Sequence, residues 1–109
     1  MPSVKLVRTR YYIKDVKKLK VSAEDVEEME RSIIADPLAG VLIQGLKGVR
    51  KVRFRIGNRG KSSGGRAIYY FLVVGNEVIM LMAYTKSEKQ DLSPEDRKSV
   101  LRVLEELGR

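Results

Sequence analysis

Val4 to Arg8 alternates apolar and basic residues, the period-two pattern of a short half-buried strand. Its lysine and arginine suit a sheet edge, where charge discourages stray pairing. From Tyr11 to Leu19 the period changes: Tyr12, Val16 and Leu19 fall at i, i+4 and i+7, which predicts a short amphipathic helix. A second helix follows, with Ser22 as N-cap, Asp25 three residues on as a capping-box partner, and Val26, Met29, Ile33 and Ile34 on its apolar face. Glu24, Asp25, Glu27 and Glu28 favour its N-terminal end, and Pro37 stops it. Pro37 to Gly48 reads as a connector whose Val41, Leu42 and Ile43 tuck against the core. Val49 to Ile56 returns to period two, with Val52, Phe54 and Ile56 on one face and Lys51, Arg53 and Arg55 on the other. Gly57 to Gly65 is too rich in Gly, Ser and Asn for a strand interior and predicts a long hairpin loop that orders on binding. Ala67 to Val74 and Val78 to Thr85 are apolar on both faces, as central strands are, and join through a Gly75-Asn76 turn. Ser93-Pro94-Glu95-Asp96 opens a last helix, buried through Val100, Leu101, Leu104 and Leu107 and ended by Gly108. The predicted fold class is α+β: a small antiparallel sheet, an edge strand plus a three-stranded meander, with two N-terminal helices and one C-terminal helix.

Length and composition narrow this to one domain over residues 1–109, since 43% hydrophobic residues in 109 supply a single modest core. With neither cysteine nor histidine, disulfides and thiolate or imidazole metal sites are excluded, so neither a metal nor another cofactor is expected. No apolar run reaches the length of a signal peptide or a membrane span, and the expectation is a cytoplasmic protein with no membrane partner.

Charge changes the picture most. Lys47 to Arg66 holds eight basic residues, Lys47, Arg50, Lys51, Arg53, Arg55, Arg59, Lys61 and Arg66, and no acid. The chain has 22 basic and 14 acidic residues, so the remainder is balanced at 22 − 8 = 14 against 14, and the whole net +8 sits in this segment. Such clustering is the electrostatic footprint of a phosphate-rich partner, most simply nucleic acid, although a solvated sheet face is the bland alternative. Cations on alternate residues of a strand stand roughly 7 Å apart, close to the phosphate spacing of an extended single strand. Arg50, Lys51, Arg53, Arg55 and Arg59 are therefore the candidate RNA-binding residues. GNRGKS around Lys61 resembles a phosphate-binding loop only superficially: Arg55 stands where its first glycine belongs, and a strand follows where a helix should.

RNA cleavage without a metal needs a group to activate the ribose 2′-hydroxyl, cations for the phosphorane and a proton donor for the leaving 5′-oxygen. In a chain without histidine this work falls to Lys, Arg, Tyr or a carboxylate. Lys61 and Lys86 are candidates for proton transfer, and Arg66, which cannot titrate, for clamping the phosphate. Tyr69 and Phe71 read as core, while Tyr70 and Tyr84 fit either a core or a stacking surface.

The stretch GVRKVRFRIGNRGKSSGGRAIYYF followed by AYTKSEKQDLS resembles the HigB branch of the RelE/ParE toxin superfamily, and the likeness extends from about Leu19 to Leu92. Gly48 to Arg53 and Tyr84 to Leu92 follow that branch's pattern, and Lys61 to Arg66 keeps its spacing with Ser63 in place of a glycine. The resemblance implies a small toxin that cleaves mRNA in the ribosomal A site and is neutralised by a cognate antitoxin, often of helix-turn-helix type. It carries Lys51, Arg53, Lys61, Arg66 and Lys86 onto the active surface, with Tyr84 as a possible catalytic tyrosine. RelE proper has a further arginine and a late tyrosine, where this chain has Ser87 and Leu92. Two alternatives stay open: a ParE-like gyrase inhibitor without catalysis, and an inactive RNA-binding module.

Overall fold

The computed structural model describes residues 3–57 and 64–108. Its elements, in chain order, are β1 (Lys5–Arg8), α1 (Arg10–Lys18), α2 (Ala23–Ala35), β2 (Val41–Leu42), β3 (Val49–Phe54), β4 (Gly65–Leu72), β5 (Glu77–Thr85) and α3 (Pro94–Glu106). They form one five-stranded sheet in the order β1-β5-β4-β3-β2. The predicted meander β3-β4-β5 is antiparallel, and β1 is the edge strand its charges suggested. That edge strand runs parallel to β5, because α1 and α2 carry the chain across the sheet before the meander begins. A fifth strand lies within the predicted connector: β2 pairs with β3 at the other edge through Val41–Lys51 and Leu42–Arg50.

The helix starts follow their caps. Thr9, Ser22 and Ser93 each accept a backbone N–H three residues on, and Ser93 and Asp96 complete a reciprocal capping box. Asp25 does not complete the box predicted for α2; its buried carboxylate accepts the Gly57 N–H at 2.8 Å and fastens the end of β3 to that helix. β4 ends at Leu72, two residues short of the prediction, and Val73 and Val74 stand exposed in the turn. Gly65, read as loop, opens β4: a Cβ there would lie 2.4 Å from the Phe54 ring, so only glycine lets that ring fold across the strand.

The sheet is buried on both faces. Phe54, Ala67, Tyr69, Val78, Met80 and Ala83 form one face and pack against Tyr12, Met29 and Ile33 of α1 and α2. Val49, Ile68, Ile79, Leu81 and Tyr84 form the other and pack against Leu92 and α3 through Val100, Val103 and Leu104. Double burial explains the unbroken apolar runs of β4 and β5. Under α2, Glu30 is 4% exposed and fully engaged, accepting the Tyr12 hydroxyl at 2.7 Å and the Arg8 guanidinium at 2.7 and 3.0 Å. Among the described residues no helix is long and apolar enough to cross a membrane.

Candidate nucleic-acid interface

Strand register decides which cations stand together. Arg53 lies opposite Arg66, and Arg66 opposite Tyr84, so the three form one row across β3, β4 and β5 on the α3 side of the sheet. The next row on that face is Lys51, Ile68 and Met82. Like charges directly opposite one another destabilise a sheet. Arg53 and Arg66 nevertheless occupy paired positions, and Arg66 is 6% exposed, with Nη1 donating to the Gly65 carbonyl at 3.1 Å. Beside them the Tyr84 side chain is 1% exposed, and its hydroxyl has no hydrogen-bond partner. An unmet buried hydroxyl costs on the order of 1–3 kcal/mol. This end of the sheet therefore sets two guanidinium groups beside a phenol whose hydroxyl is enclosed.

The segment after β5 frames the row. Thr85 and Glu88 bond reciprocally, the Thr85 N–H to Glu88 Oε1 and the Glu88 N–H to Thr85 Oγ1, each at 3.2 Å. This turn brings Lys89 over the Tyr84 ring, 5.7 Å from its centroid, while the ammonium donates to Asp96 at 2.8 Å. Asp91 follows; its Oδ1 accepts the Leu92 N–H at 2.8 Å and faces the Lys51 ammonium at 3.9 Å. Burial pushes the Tyr84 phenol up, the nearby Asp91 carboxylate adds to this, and Arg66 opposes it. The phenol therefore keeps its proton at neutral pH.

The predicted site residues divide accordingly. Lys51, Arg53, Arg66 and Tyr84 share the α3 face, and Lys86 stands exposed just past β5, its N–H bonded to the Gly64 carbonyl at 3.2 Å. Tyr84, proposed to act on substrate, has its hydroxyl enclosed, because the core beneath α3 claims the ring. Arg50 falls on the opposite face and binds the Leu38 and Gly40 carbonyls at 2.9 and 2.7 Å, closing the connector and not a ligand site. Arg55 does not extend the row of Lys51 and Arg53. It turns to α2, 3.2 Å from Glu28 and 3.8 Å from Asp25. Arg59 and Lys61 lie outside the described residues. Lys89 and Asp91 were missed; read as a polar connector, their segment showed only as spacing in the AYTKSEKQDLS motif.

No known family model matches the chain. Among solved structures it is similar to a variant of the Escherichia coli toxin RelE carrying two arginine-to-alanine substitutions, in the free state. That match has a TM-score of 0.63 and 14% identity over 93% of this chain and 97% of the other. It is also similar to isolated E. coli RelE toxin, with a TM-score of 0.55 and 14% identity over 93% and 99% of the two chains. A third match is the conserved hypothetical protein HP0892 from Helicobacter pylori, with a TM-score of 0.51 and 16% identity over 78% and 97%. The fold is RelE-like: α+β, with three helices and a five-stranded sheet.

Proposed function

We propose that this chain is the toxin of a toxin–antitoxin pair, of the HigB kind within the RelE/ParE superfamily, and cleaves mRNA on the ribosome by attack of a ribose 2′-hydroxyl on the neighbouring phosphate. The observation that carries the reading is the cationic face of Lys51, Arg53 and Arg66, with Lys86 exposed just past β5, at the end of a RelE-like sheet. An anionic phosphate against Lys51, Arg53 and Lys86 offsets the repulsion among these cations, and the same charges meet the demand of a pentacoordinate phosphorane. Lys51 and Lys86 extend the positive field toward the RNA backbone, and a catalytic role for Lys61 rests on the sequence resemblance alone. Arg66, planar and always charged, clamps the phosphate. No nucleotide or metal is required by this reading. The protein partner is an antitoxin, of helix-turn-helix type on the HigB resemblance, that covers the basic face with acidic or apolar groups, and the complex is cytoplasmic.

Induced expression of the lone gene, with growth followed and mRNA 5′ ends mapped within minutes, tests the reading. Growth arrest with new 5′ ends confined to translated message is expected, and Arg53→Ala with Lys86→Ala is expected to relieve it while the protein stays folded. Arrest with intact message would instead favour the gyrase-directed alternative.

A further inference from the structure

Among the described residues, an exposed carboxylate, Asp91, stands beside the cations of the basic face. Asp91 stands on the segment between β5 and α3, its side chain 60% exposed, beside Lys51 of β3 and close enough to Tyr84 of β5 to influence the phenol. Its Oδ1 accepts the Leu92 N–H at 2.8 Å and lies 3.9 Å from the Lys51 ammonium, an ion pair beyond hydrogen-bond reach. Oδ2 makes no hydrogen bond among the described residues. One oxygen is anchored and the other is open toward solvent, the arrangement a general base needs. The neighbouring acids are committed elsewhere. Asp96 accepts from Lys89 at 2.8 Å and from the Ser93 N–H at 3.0 Å, and Glu88 accepts the Thr85 N–H at 3.2 Å.

We propose that Asp91 is the general base of the cleavage reaction, taking the proton from the ribose 2′-hydroxyl, an assignment that rests on the interferase reading above. The 2′-oxygen then bonds to phosphorus, the bond from phosphorus to the 5′-oxygen breaks, and that oxygen takes a proton from water. The products are a 2′,3′-cyclic phosphate and a 5′-hydroxyl, and the proton on Asp91 returns to solvent. No redox partner is involved. Lys51 pairs with Oδ1 through charge and draws the phosphate toward the same place. Among the described residues, Arg53, Arg66, Lys86, Lys89 and the Tyr84 hydroxyl also stand near this end of the sheet as protonated donors, and Asp96 and Glu88 are the carboxylates already engaged.

The test is single-turnover cleavage of mRNA bound to programmed ribosomes. Asp91→Asn keeps an oxygen for the Leu92 N–H and removes the base, so cleavage should slow by about 10²–10⁴-fold, the usual contribution of general base catalysis. Ribosome affinity should stay within about twofold, since the step lost is chemical and not binding. Asp91→Ala should recover part of its rate when acetate is added, a rescue that a purely structural role would not show. Wild-type cleavage with an equally active Asp91→Asn variant overturns the assignment and leaves the interferase reading intact. Faster cleavage by Asp91→Asn also overturns it, making Asp91 a counter-ion that RNA displaces. A folded wild-type protein that leaves ribosome-bound mRNA whole overturns both.

Discussion

The Tyr84 hydroxyl and the Arg50 guanidinium carry opposite stability predictions. Tyr84→Phe removes a buried donor that has no partner, so the unfolding free energy should rise by about 1 kcal/mol in urea titration. Arg50→Ala leaves the Leu38 and Gly40 carbonyls without their donor and should lower stability by about 1–3 kcal/mol, read as a lower urea midpoint. Composition made Arg50 and Arg53 look alike; strand parity separates them, placing Arg50 beside Tyr69 and Arg53 beside Arg66. Tyr69 was legible as core, and its hydroxyl is satisfied, donating to the Pro37 carbonyl at 2.7 Å and accepting the Gly40 N–H at 3.1 Å. The side taken by Tyr84 was not legible, because the irregularity between Ile68 and Tyr69 shifts its register with β4.

Among the elements, α3 offers the clearest test, since its start both caps a helix and anchors the segment that frames the site. Ser93→Ala should cost about 1 kcal/mol of unfolding free energy. Asp96 links this cap to pH. Burial alone would push its carboxyl up, but the Lys89 ammonium and the Ser93 N–H and hydroxyl outweigh it and hold the group below its ordinary 3.8. A carboxyl depressed in the folded state stabilises the fold above its unfolded value, and that contribution is lost as pH falls through the folded one. Denaturation midpoints measured through the acid range below 3.8 should therefore fall more steeply for wild type than for Asp96→Asn. Caps and period marked α1, α2 and α3 in the sequence to within a residue or two. β2 left no such mark, because two exposed residues, Val41 and Leu42, are a strand only through the neighbour they pair with.

For the whole molecule the prediction concerns salt. Each phosphate neutralised on a single strand contributes about −0.7 to the slope of log affinity against log salt. Arg53→Ala should flatten the slope for single-stranded RNA by about that amount. Arg55→Ala should leave it nearly unchanged, because Glu28 and Asp25 already neutralise that guanidinium. Fluorescence anisotropy across a salt series distinguishes the two.

Local chemistry, written in residue order, determined the α+β composition of the fold, the helix starts at Ser22 and Ser93, the central strands and the confinement of the net positive charge to residues 47–66. Caps, periodicity and charge depend on neighbours along the chain, so a sequence displays them directly. Tertiary structure alone decided that β1 joins in parallel, that Arg50 and Arg55 are spent on the scaffold, and that Asp91, forty residues beyond Lys51, comes to rest against it. Those outcomes depend on strand register and on which face each helix covers. Both are set by packing between segments distant in sequence, where no local pattern reaches.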